Sequence, residues 1–165
     1  AGLRLSDLMT LKWSDIDMEK NMISHMQYKG HNRKAKMLYI PLNDISRDIL
    51  DRWNGRYEEF VFGLLPSGYD LSDDAAFLKV KNTREATINQ SLRSVGDKME
   101  LPFNLHIHLG RHTYAMMALN GGVDIKTTSS LLGHASTMVT EKVYATLLPN
   151  TIAERVGDKL NVKLD

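Results

Sequence analysis

Two short apolar segments, Met22 to Gln27 and Met37 to Pro41, flank a basic run and constrain the fold more than any other feature of the sequence. They read as the arms of a β-hairpin with a long, positively charged tip. That tip, "HMQYKGHNRKAK", carries Lys29, Arg33, Lys34 and Lys36 and no acidic residue. With the segment around Ile16, the hairpin suggests a small three-stranded antiparallel sheet. Helical signals fill the rest. Ser6 is placed to N-cap a short helix bearing Leu8, Met9 and Leu11, and Asn43 or Asp44 to cap one bearing Ile45, Ile49, Leu50 and Trp53. Pro66 and Gly68 mark a turn. Helices are then expected near Asp73–Val80, Thr83–Met99 and Leu105–Asn120, the last ended by Gly121-Gly122. Asp124 opens another that Gly133 stops after Leu132. Ser136–Leu147 and an amphipathic Asn150–Leu160 follow. The fold class is α+β, mainly α, a helical domain with a small three-stranded antiparallel sheet.

At 165 residues and 42% hydrophobic, the chain can bury one ordinary core, so residues 1–165 are expected to form one domain. The absence of cysteine excludes disulfide scaffolds and thiolate metal sites and suits a reducing cytosol. No apolar run approaches the roughly 18 residues of a membrane helix, and "AGLRLSDLMT" lacks the pattern of a signal peptide. A soluble, cytoplasmic protein without membrane contact is expected. The net charge of +1 gives no overall basic excess, so any nucleic-acid surface must be local. "GLRLSDL" reads as the middle of a domain and no initiator methionine precedes it, so the chain is expected to be a piece of a longer protein.

"HIHLGRHTYA", residues 106–115, gathers three histidines and an arginine. On a helix, Ile107, Gly110, Tyr114, Met117 and Ala118 form one stripe, expected to face the core. His108 and Arg111, three residues apart, lie side by side at its edge, with His112 beside His108. Arginine offers a fork of donors matched to phosphate oxygens, and histidine can donate a hydrogen bond or move a proton. A zinc site built from His106, His108 and His112 competes with this reading, although Arg111 would place a cation among the ligands. Three further places carry reactive groups. Arg4 stands just before a helix with Asp7 positioned to orient it, Lys29 leaves the first hairpin strand, and in "LLGHASTMVTEKVYATL" His134 follows a glycine while Tyr144 sits on the next helix.

Taken in this order, "AGLRLSDL", the hairpin lysine, "HLGRHTYA", "LGH" and the final tyrosine resemble the tyrosine recombinase (phage integrase) family over most of the chain, from Arg4 to Tyr144. The resemblance implies that Arg4, Lys29, His108, Arg111 and His134 occupy active-site positions and that Tyr144 is the nucleophile. It further implies a catalytic domain whose N-terminal DNA-binding domain and first helices lie outside this chain. The implied activity is site-specific recombination of double-stranded DNA, as in integration or excision of a mobile element, through a 3′-phosphotyrosine link and with no cofactor. Arg33, Lys34 and Lys36 would touch backbone phosphates, a sequence-independent and salt-sensitive contribution. The family works as a homo-tetramer on two sites, whereas this fragment alone is expected to be monomeric and weak on DNA. Its expected location is the cytoplasm, at the nucleoid.

Three features depart from the family pattern. Asp7 stands where glutamate is common, Gly110 where a larger residue is frequent, and Tyr144 is one residue further from His134 than in many members. Xer-like chromosome resolution or DNA inversion would use the same chemistry. A metal-dependent hydrolase built on His106, His108 and His112, and a DNA-binding remnant without catalysis, are the alternatives of other classes. His25, His106 and His112 are otherwise read as structural or surface residues.

Overall fold

A computed structural model describes residues 2–29, 35–134 and 136–145, with the side chains of 143–145 outside the description. The elements run α1 (Leu5–Thr10), a 3-10 turn (Trp13–Asp15), β1 (Ile16–Asp17), β2 (Met22–Met26), β3 (Met37–Pro41), α2 (Asp44–Trp53), α3 (Asp74–Lys98), α4 (Ile107–Asn120), α5 (Ile125–Leu132) and α6 (Thr137–Ala145). The mainly helical α+β architecture and the antiparallel sheet, ordered β1-β2-β3, follow the reading of the sequence. The expected helix Asn150–Leu160 lies outside the described residues. Among the described residues no helix is long and apolar enough to cross a membrane.

The sheet has one inward and one outward face because side chains alternate along each strand. In the β2–β3 register Ile23 pairs with Ile40 and His25 with Leu38, and all four are buried. Met26, Met37 and Tyr39 point outward. Ile23, Leu38 and Ile40 join Leu3, Leu11, Leu50 and Val61 in one apolar cluster, while Leu5, Met9, Phe60, Leu65 and Phe77 form a second. His25 is a polar group on the inward face, and its ring is satisfied there. Nδ1 lies 2.8 Å from Asp15 Oδ2 and Nε2 lies 3.4 Å from Thr10 Oγ1.

Three expectations change. Ser6 does not cap α1; it lies buried inside the helix, and Arg4 takes the N-cap position with extended backbone and without a side-chain capping bond. Leu3 and Leu5, one in each cluster, fix the chain's entry instead. The two helices expected around Val80 and Thr83 are one helix of 25 residues. No glycine or proline breaks it there, Lys81 pairs with Glu85 one turn later at 2.6 Å, and Thr83 Oγ1 bonds back to the Lys79 carbonyl at 3.1 Å. The apolar stripe of α4 is not its core face. Met117 is 68% exposed, and Ile107, Gly110, Tyr114 and Met117 line an open groove with Ile45 and Ile49 of α2. The buried residues of α4 are Ala115 and Leu119.

The helix ends follow their local chemistry. Asn43 Oδ1 caps α2 by accepting from Ser46 N at 2.9 Å, Asp73 caps α3, and Asp124 accepts from Thr127 N at 2.9 Å at the start of α5. Ile107 N, at the start of α4, donates across to Asn89 Oδ1 of α3 at 2.9 Å. At the end of α5, Gly133 turns left-handed (φ 63°), with Gly133 N bonded to Ser130 O and His134 N to Ser129 O. This paired closure is the Schellman arrangement, and it places His134 immediately beyond the helix.

Candidate active site

The last carbonyls of a helix have no partner inside it and carry the negative end of its dipole, so they attract cations. In α5 two arginines answer that demand from opposite ends of the sequence. Arg111 Nη2 donates to the Leu132 carbonyl at 2.6 Å, and its Nη1 to the Gly2 carbonyl at 2.5 Å. Arg4 Nη2 donates to the next carbonyl, that of Gly133, at 3.2 Å. The structure therefore brings Arg4, Arg111 and His134 together around one helix end. Gly2 has to be a glycine there, since a Cβ would lie 2.5 Å from Leu132 Cδ2 and 2.7 Å from Tyr114 Cδ1.

These cations are only partly exposed, and they act on one another. Burial first, then the charge of Arg4, pulls the Arg111 pKa down to about 10, with Asp7 opposing the shift. Arg111 still stays protonated at neutral pH. Burial, followed by Arg111, Arg4 and His112, pulls His134 down to about 4. Its imidazole is neutral at pH 7, and its Nδ1 lies 2.9 Å from Thr140 Oγ1 of α6. Among the described residues the remaining ring nitrogen, Nε2, makes no hydrogen bond. Two guanidinium groups beside a neutral imidazole are the kind of donor set that suits an anion.

Asp7 corrects an expectation about its partner. The buried carboxylate accepts from Tyr28 N through Oδ1 at 3.0 Å rather than forming an ion pair with Arg4, and among the described residues Oδ2 has no hydrogen-bond partner. Its charge is felt at Arg111, and its hydrogen bond fixes the backbone directly before Lys29. Asp7 thus links the α1 end of the site to the exit of β2.

The other candidates are less closely drawn in. His108 is on the same helix as Arg111 but is 58% exposed, with Nε2 3.6 Å from Glu85 Oε1 of α3. Lys29 is half-buried just beyond β2. Lys36 reaches the site rim, its Nζ donating to the His134 carbonyl at 3.3 Å. Tyr144 lies on α6, but its side chain is outside the described atoms, as are Arg33 and Lys34 altogether. His106 and His112 are exposed. Among the described residues no three His, Cys, Asp or Glu side chains gather as a metal-binding group.

Comparison with known proteins fits this geometry. The family model described as the phage integrase family matches residues 1–150. The chain belongs to the phage integrase family. Among its relatives, tyrosine recombinase XerC of Pediococcus pentosaceus is 29% identical over 93% of this chain and 48% of the relative. XerC of Pseudomonas savastanoi pv. phaseolicola is 30% identical over 86% and 43%. Tyrosine recombinase XerD of Bifidobacterium longum is 28% identical over 93% and 48%. The chain therefore spans less than half the length of these relatives. The crystal structure of XerA recombinase shares the fold at a TM-score of 0.63 and 24% identity, over 98% of this chain and 54% of that one. A Tn1549 transposon integrase in complex with transposon right end DNA gives 0.63 at 21% identity, over 87% and 50%.

Reading the family's boxes along the sequence misses residues that only folding brings to the site. Thr140 is fully buried and meets His134. Glu85 faces His108 from α3. Gln27 is 2% exposed and donates from Nε2 to the Gly133 carbonyl at 3.0 Å. A polar residue at the end of a strand heading inward is the only signal that could have pointed to Gln27.

Proposed function

We propose that this chain is the catalytic part of a site-specific DNA recombinase that cleaves and rejoins strands through Tyr144. The observation that carries the reading is the meeting of Arg4, Arg111 and His134 at the C-terminal end of α5, one helix away from Tyr144. In the cleavage step the Tyr144 phenol oxygen bonds to the scissile phosphorus, the bond from phosphorus to the 5′ oxygen breaks, and a 3′-phosphotyrosyl link remains. His108 takes the phenol proton and Lys29 gives one to the departing 5′ oxygen, so protons balance. Arg4, Arg111 and Nε2 of His134 stabilise the charge that grows on the non-bridging oxygens. Removing a preorganised donor of this kind costs roughly 10²–10³ in rate. A second 5′-hydroxyl then reverses the step on a new partner, and since the link conserves the bond energy no nucleotide cofactor is required.

Lys36, Arg33 and Lys34 serve the duplex backbone, and in the whole protein a homo-tetramer works on two synapsed sites. The same steps suit integration and excision of a mobile element and Xer-like resolution or inversion. The DNA sequence that is cut separates them. The test is a suicide DNA substrate that traps the covalent protein–DNA adduct in the full-length protein. An adduct with the wild type and none with Tyr144→Phe is expected. Equal nicking by the two, or nicking abolished by a chelator, would overturn the reading.

A further inference from the structure

Gln27 is nearly completely buried, yet among the described residues its Oε1 has no hydrogen-bond partner. A side chain kept only to fill the core would do better as methionine or leucine, because an unsatisfied buried acceptor is destabilising. The other end of the amide explains its presence. Nε2 donates to the Gly133 carbonyl at 3.0 Å, the same oxygen that Arg4 Nη2 reaches at 3.2 Å. One buried carbonyl next to His134 thus has two donors, one neutral and one cationic. The Gln27 backbone is itself anchored, with N bonded to Lys36 O at 3.0 Å, and the following Tyr28 N is held by Asp7. The fit is close enough that any Cβ at Gly133 would collide with Nε2.

We propose that Gln27 is a positioning residue: it keeps the Gly133 carbonyl satisfied, and His134 in register, when Arg4 turns from that carbonyl to an incoming phosphate. This rests on the anion-binding role of Arg4 and Arg111 in the proposed recombinase. With Gln27 present, Arg4 leaves no orphaned acceptor behind. Without it, each departure of Arg4 uncovers a buried oxygen, and phosphate must compete against the carbonyl's need for its last donor.

The test compares wild type, Gln27→Met and Gln27→Glu in the full-length protein. Inorganic phosphate is titrated in while the Arg4 guanidinium and His134 ring resonances are followed by ¹⁵N NMR. Single-turnover adduct formation and affinity for the DNA site are measured in parallel. Gln27→Met keeps the volume and removes the donor. It is expected to weaken phosphate binding about tenfold, equivalent to one buried hydrogen bond, and to slow adduct formation by a similar factor with DNA affinity unchanged. Gln27→Glu, which places an acceptor against the carbonyl, is expected to be worse. Wild-type phosphate affinity in either folded variant would overturn the proposal. So would unfolding of both variants, which would assign Gln27 to the core. A wild type that binds phosphate but forms no adduct would instead count against the recombinase reading and leave the Gln27 comparison to be judged on phosphate alone.

Discussion

Arg111→Lys keeps a positive charge and removes the fork. One ammonium cannot span the Gly2 and Leu132 carbonyls that the two Nη atoms hold now. Cleavage is expected to fall by about 10²-fold or more, read as the adduct-forming rate on a suicide substrate. Stability is expected to fall by about 1–3 kcal/mol, from a buried acceptor left unmade, read from denaturant midpoints. His134 gives a pH signature. Its folded pKa, pulled down to about 4, lies below the ordinary 6.5, so between these values the unfolded chain binds more protons than the native one. Stability is therefore complete above about pH 6.5 and is lost as pH falls toward 4. Urea midpoints taken from pH 7 to pH 4 should decline less steeply in His134→Gln than in the wild type. Identical slopes would mean that the imidazole is not held neutral.

At the scale of elements, the end of α5 is the sensitive joint. Gly133→Ala puts a side chain at φ 63° and into the Gln27 amide. It is expected to cost more than the roughly 1–2 kcal/mol of a left-handed L-residue, with a lowered Tm and slower cleavage together. Asn43→Ala, which removes the cap of α2 away from the site, should cost about 1 kcal/mol and leave cleavage per folded molecule unchanged. Both positions carry signals a reader can see in the sequence, because caps and left-handed closures depend on residues adjacent in the chain. For the same reason Asp124 and Gly133 are legible as the start and stop of α5, while the two hairpin arms are legible from their short apolar runs on either side of the basic segment. What could not be read is tertiary. The α4 stripe has a helical period, but which neighbour covers it is decided by the packing of α2 and α3, and the groove stays open. Ser6 looks like a cap until Leu3 and Leu5 draw it into the core. The boxes single out Arg4, Arg111 and His134, which the fold brings together, whereas the partners of His134 and His108, Thr140 and Glu85, belong to no box and come from other elements.

This chain has nearly balanced charge, +1 over 165 residues, so the duplex attraction proposed for it has to come from a few well-placed cations rather than from a general field. Lys36→Ala should weaken DNA binding evenly across sequences and lower the steepness of its salt dependence by about one unit, as read from dissociation constants over a salt series. Connectivity has another effect. The bonds that gather these groups at the end of α5 join residues 129, 109 and 106 positions apart: Arg4 to Gly133, Arg111 to Gly2, and Gln27 to Gly133. Contacts so distant along the chain close late in folding. A polypeptide still emerging from the ribosome holds Arg4 long before the helix end it meets has been synthesised. The cluster of Arg4, Arg111 and His134 can therefore assemble only in a chain synthesised past residue 134.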